Sequence, residues 1–152
     1  IKPENVFLSR DASGVSKVHL LDFGITRQVN DTADEKLTQT GTILGTPHYM
    51  SPQMCAGEPA TPAADIWAAG AVLFHAFAGR PPFDDDHVGR LLMRIVRDPA
   101  PSIAEYRPDL PAEVVSAIDR ALHQDPKARW KTARALSDAL TQGGAPIDDL
   151  DY

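Results

Sequence analysis

Apolar residues are grouped along the chain, and the spacing within the groups changes part-way along it. Near the start, the runs Val6–Leu8 and Val18–Leu21 are separated by the polar stretch 9–17. Gly14 lies in that stretch among residues that favour turns, so the pattern predicts a β-hairpin. Residues 24–60 show neither helical nor strand periodicity. They are rich in glycine and in threonine, at Thr26, Thr32, Thr38, Thr40, Thr42 and Thr46. A loop of this length in a compact domain is more often functional than incidental.

Beyond residue 60 the spacing becomes helical. Thr61-Pro62 reads as a helix cap followed by proline in the first turn, and Gly79 with Pro81-Pro82 marks the end. Between them Ile66, Trp67, Val72, Leu73, Phe74 and Phe77 cover most of the circumference, the mark of a helix buried at the centre of a domain. Val88, Leu91, Leu92, Ile95 and Val96 predict a second helix, amphipathic in character. Val114, Val115, Ile118 and Leu122 predict a third, stopped by Asp125-Pro126. Ala133, Leu136 and Leu140 predict a fourth, ended by Gly143-Gly144. There are no internal repeats, and 143–152 is an acidic tail expected to be loose. The order of hairpin, long loop and helices predicts an α+β fold, mainly helical with a small sheet at its edge. Two strands do not make a stable sheet alone, and the central helix carries more apolar surface than its predicted neighbours cover. Both features predict a piece of a longer domain.

Composition narrows the function. The 152 residues carry 15 basic and 21 acidic side chains, a net charge of −6, which argues against a nucleic-acid partner. The single cysteine, Cys55, excludes an internal disulfide framework and a cysteine-rich zinc site. No adjacent base activates it, so it reads as inert. The least charged long stretch, Ile66 to Gly79, falls short of the roughly 18–20 apolar residues a membrane span needs. The expected location is therefore cytoplasmic, whatever anchor lies elsewhere. The histidines have no metal-ligand spacing, and His75, on the central helix, reads as a satisfied core residue. Asp84-Asp85-Asp86 reads as an exposed loop capping the next helix, ahead of a cation site.

Two short motifs flank the hairpin. Lys2-Pro3-Glu4-Asn5 stands directly before the first strand, and Asp22-Phe23-Gly24 directly after the second. A hairpin brings its two ends together, so the amide oxygen of Asn5 and the carboxylate of Asp22 would face one point. Hard oxygen donors of this kind suit Mg²⁺ that also holds phosphates. Lys2 would add positive charge where a transferring phosphoryl group gathers negative charge.

The ordered series of these motifs, the threonine-rich loop and GTPHYMSPQ (45–53) resembles the C-terminal lobe of a eukaryotic-type serine/threonine protein kinase, in wording closest to the bacterial members. The resemblance covers about residues 1–140. IKPEN matches the last five positions of the family's H-R-D-x-K-P-x-N loop, which puts the pattern's catalytic aspartate just before Ile1. ADIWAAGAVLFHAFAGRPPF (64–83) resembles the family's buried central helix, and DPKAR (125–129) its late arginine motif. The resemblance implies a kinase-domain part over 1–142, truncated before Ile1, with ATP and Mg²⁺ as cofactors. It implies protein Ser/Thr hydroxyls as acceptors and a kinase–kinase dimer for autophosphorylation. The chain by itself is expected to be inactive. The alternative is a catalytically dead pseudokinase or gene remnant acting as a binding scaffold.

Carried over position by position, the resemblance gives Asp22 the Mg²⁺ that bridges the β- and γ-phosphates and Asn5 the second Mg²⁺. Lys2 contacts the γ-phosphate, and Thr46 lines the substrate hydroxyl site. Phe23 and Gly24 complete the turn after Asp22. Asp65 ties down the catalytic-loop backbone, or serves as an acidic residue favoured at a helix N-terminus; both readings can hold. Thr38 and Thr40 stand where the bacterial members carry activating phosphorylation, ahead of the alternative reading as an unmodified polar loop. One position departs from the family pattern. Gln53 replaces the glutamate that pairs with the arginine represented by Arg129. A neutral bond is worth about 1 kcal/mol against about 1.5–3 for a charged one, which predicts a weak anchor there.

Overall fold

A computed structural model describes residues 1–11, 14–21 and 47–142. The turn of 3-10 helix at Pro3–Asn5 leads into strand β1 (Val6–Arg10), which pairs antiparallel with β2 (Ser16–Leu20) in the register Val6↔Leu20 to Arg10↔Ser16. Pairing extends past the apolar run to Arg10 and Ser16, because backbone hydrogen bonds do not need apolar side chains. Asp11 closes the turn: its backbone N–H donates to the Val15 carbonyl, its carboxylate accepts from the Val15 N–H at 3.1 Å, and Lys17 pairs with it at 3.2 Å. Alternation puts Val6, Leu8, Val18 and Leu20 on one face of the ribbon. Leu8, Val18 and Leu20 are exposed, Val18 to 66%.

Helix α1 (Pro52–Cys55) and the 3-10 turn at Pro47–Tyr49 lie in the segment without periodicity. Each is a single turn, too short to show a repeat. Ser51 caps α1 by accepting from the Met54 N–H at 3.3 Å.

Helix α2 (Pro62–Ala78) follows the predicted span, with Thr61 at its N-cap and Gly79 ending it in the left-handed region at φ 70°. Trp67, Ala71 and Phe74 are fully buried, while Val72, Leu73 and Phe77 are half-buried. Trp67 stacks on Phe83 at 6.3 Å, and Phe74 meets Tyr106 edge-on at 5.4 Å. In helix α3 (Val88–Arg97), Leu91 and Ile95 face the core, but Val88 and Val96 are exposed. Helix α4 (Ala112–Ala121) packs against both α2 and α5 (Ala133–Gln142), with Ile66, Ala117, Ala121 and Leu136 sharing one buried cluster. The 3-10 turn Ile103–Glu105 is fastened to α4 by Asp119. Its carboxylate accepts from the Ser102 hydroxyl at 2.6 Å and from the Ile103 N–H at 3.0 Å.

The α2–α4 crossing depends on Gly70. A Cβ there would stand 2.8 Å from the Ala121 Cβ, inside any real carbon–carbon contact. Gly70→Ala gains about 1 kcal/mol of helix propensity but forces the two backbones apart, at about 1–3 kcal/mol. The variant is expected to be less stable than the parent in a denaturant melt; equal or greater stability would mean that the crossing relaxes freely.

Candidate functional site

The hairpin's base is closed by the backbone. Asn5 donates its N–H to the Lys2 carbonyl at 3.0 Å and accepts at its own carbonyl from the Leu21 N–H at 2.7 Å. This second bond continues the ladder one step beyond Val6↔Leu20 and brings the residue preceding Asp22 alongside Asn5. Lys2 and Asn5 are half-buried. The Lys2 side chain has no hydrogen-bond or ion-pair partner among the described residues. Asp22, Phe23, Gly24, Thr38, Thr40 and Thr46 lie outside the described residues, as does the tail 143–152.

Asp65 is exposed in the first turn of α2, with no hydrogen bond or ion pair among the described residues. That placing suits a carboxylate at a helix N-terminus.

Gln53 and Arg129 do meet. Arg129 is 1% exposed, and its guanidinium makes four hydrogen bonds. Nε donates to the His123 carbonyl at 2.7 Å and Nη1 to the Ala63 carbonyl at 2.9 Å. Nη2 donates to Gln53 Oε1 at 2.8 Å and to the Gln124 carbonyl at 3.0 Å. Its plane also lies 4.9 Å from the Trp67 ring centroid. Every acceptor is neutral. Burial accordingly pulls the Arg129 pKa down to about 10, opposed by the more distant Asp125. The group remains charged at neutral pH. The other end of the Gln53 amide is also used, with Nε2 donating to the Gln124 carbonyl at 3.0 Å.

Three contacts here had no signal in the sequence. Gln124 takes part through its backbone carbonyl, which any residue possesses, and through Nε2, which donates to the Ile95 carbonyl at 3.0 Å and to the Asp98 carbonyl. Tyr49 Oη and His75 Nδ1 lie 2.7 Å apart with their rings stacked, which satisfies the half-buried histidine. Burial, and to a lesser extent Glu4, holds the Tyr49 hydroxyl above its ordinary pKa. His48 Nε2 lies 3.2 Å from Asp84 Oδ1. Asp85 accepts from the His87 N–H and from Arg90 Nε, both at 2.9 Å; the N-cap of α3 is His87 and carries no side-chain cap bond, so the aspartate run precedes the helix without capping it. No group of three or more potential metal ligands occurs among the described residues. Cys55 is half-buried, and burial pushes its thiol up to about 11, which keeps it protonated and unreactive.

Residues 1–140 match the protein kinase domain family. The chain belongs to that family. It is 38% identical over 146 residues to the serine/threonine-protein kinase PknD of Mycobacterium tuberculosis, a match covering 93% of this chain and 21% of that protein. It is 36% identical over 130 residues to a probable serine/threonine-protein kinase PknB of Lactococcus lactis, covering 86% and 20%. To PrkC of Bacillus subtilis, also a serine/threonine-protein kinase, it is 33% identical over 136 residues, covering 90% and 20%. The chain thus spans about a fifth of the length of these curated relatives. The architecture, a helical body with a two-stranded sheet, agrees with the predicted α+β class. Among the described residues, no helix is long and apolar enough to cross a membrane.

The Arg129 cluster yields a stability test. A lysine offers one ammonium in place of a planar fork and cannot reach acceptors on three sides of the side chain. Arg129→Lys should cost about 3 kcal/mol or more, because carbonyls built to receive the fork lose their donors. Chemical denaturation checks this; a loss below about 1 kcal/mol would mean that the four bonds contribute little.

Proposed function

We propose that residues 1–142 form the mainly helical, C-terminal-lobe part of a serine/threonine protein kinase catalytic domain, followed by an acidic tail at 143–152. The protein that carries them transfers the γ-phosphoryl group of ATP to Ser or Thr hydroxyls of protein substrates in the cytoplasm. The observation that carries this reading is the 2.7 Å bond from the Leu21 N–H to the Asn5 carbonyl, which brings the residue before Asp22 alongside the last residue of the first motif. Family membership and relatives named as serine/threonine kinases support it.

The donors suit the cofactor. An amide oxygen at Asn5 and a carboxylate at Asp22 are hard ligands, of the kind Mg²⁺ takes alongside nucleotide phosphates. When bound, the ion neutralises charge that gathers on the transferring phosphoryl group. The chain's own part is to position. The hairpin sets Asn5 beside Leu21, the residue before Asp22; in this reading Asn5 and Asp22 hold the metal, Lys2 brings a cation to the γ-phosphate, and Thr46 lines the acceptor site. Asp65 steadies the catalytic loop, and phosphorylation at Thr38 or Thr40, between kinase copies, adds charge that orders the long loop. The scaffold alternative drew its main support from Gln53. Gln53 does meet Arg129, through the neutral acceptor that this departure implies.

In the full-length protein, Asp22→Asn should lower phosphorylation of a generic protein substrate on the order of 100-fold or more, with an unchanged melting curve. Near parental activity in the folded variant would remove the metal-ligand assignment. Active protein should carry phosphate on Thr38 or Thr40 by mass spectrometry. Full activity with both residues unmodified would contradict that role.

A further inference from the structure

Gln53 uses both ends of its amide. Oε1 accepts from Arg129 Nη2, and Nε2 donates to the Gln124 carbonyl, which Arg129 Nη2 also reaches. The Gln124 side chain in turn donates to the Ile95 and Asp98 carbonyls at the C-terminal end of α3. From the same C-terminal half of α3, Arg94 Nη1 donates to the Asp84 carbonyl at 2.6 Å, and the Asp84 carboxylate meets His48. The 47–55 segment is therefore tied to the C-terminal half of α3 by two routes, through Gln124 and through Asp84.

We propose that Gln53 is a positioning residue: through its amide nitrogen it fastens the 47–55 segment to the far end of α3, so that the turn at 47–49 and α3 hold one relative position. On the reading above, that turn adjoins the site where the substrate hydroxyl enters. The glutamine is then a working substitute for an acid, with a bond that a carboxylate cannot make.

The chemistry separates this role from simple pairing with Arg129. A glutamate at position 53 keeps an oxygen for the guanidinium but turns its other oxygen toward the Gln124 carbonyl, where two acceptors meet at about 3 Å. Protonation of that carboxyl restores a donor. The charged and titratable groups around it are Arg129, Asp125 and His123 after α4, and Asp98 at the end of α3. Their own titration is shared with the parent, but the pull of Arg129 on a new carboxylate is not, and the comparison weighs that attraction against repulsion from the Gln124 carbonyl.

The experiment compares the melting temperature of Gln53→Glu with that of the parent in the full-length protein at pH 8 and pH 5. The expected difference is zero or negative at pH 8 and rises on acidification. A positive difference at pH 8, or one that fails to rise at pH 5, overturns the proposal. Gln53→Met, of similar length without either bonding group, supplies a second readout if the acid does not fold. Hydrogen exchange should quicken together in 47–55 and in 95–98; unchanged exchange at 95–98 overturns the coupling. Neither readout uses nucleotide or substrate, so failure here leaves the roles of Asp22 and Asn5 intact, and failure of those roles leaves the clamp intact.

Discussion

One buried charge sets the arrangement of the helical body. Arg129 is shielded from water, and no described carboxylate bonds to it. Burying an unpaired ion costs several kcal/mol, so the cost has to be offset by hydrogen bonds of good geometry. Those bonds come from α1, the first turn of α2 and the loop after α4, with the Trp67 ring alongside. Each acceptor must stay in place for the guanidinium to remain satisfied. The requirement fixes how these elements meet, which apolar contact alone would leave loosely specified. Apolar packing then fills the frame: Gly70 lets α4 approach, and Trp67, Phe74, Ile95 and Ile118 close the core.

The hairpin follows a different logic. Its order comes from the backbone ladder and the Asp11 turn, and its apolar residues Phe7, Leu8, Val18 and Leu20 are exposed. What it contributes is placement. By closing on the Leu21–Asn5 bond, it sets Leu21 beside Asn5 at its base. On the proposed function, that base is where the two flanking motifs bring their oxygen donors to the Mg²⁺–nucleotide.

Much of this was legible in the residues. The hairpin, the four longer helices and the ends of α2 follow from periodicity, Thr61-Pro62 and Gly79. The short helix α1 and the 3-10 turns left no periodic trace. Of the site, the motifs around Asn5 and Arg129 could be read because side-chain type carries their chemistry. Gln53 was visible only as a departure, and its identity suggested a missing charge. The second bond, to a backbone carbonyl at Gln124, had no signature because a carbonyl is common to all residues. The same holds for Tyr49 with His75 and for His48 with Asp84, contacts made across 26 and 36 positions.

The central claim is that the hairpin base holds a metal–nucleotide complex. Manganese can stand in for Mg²⁺ and broadens nearby amide resonances. In the full-length protein with a non-hydrolysable ATP analogue, adding Mn²⁺ should selectively broaden the amides of Asn5, Val6 and Leu21. Those of α4 and α5 should stay sharp. Nucleotide-dependent broadening elsewhere with the hairpin base untouched, or no broadening at all, would contradict the account.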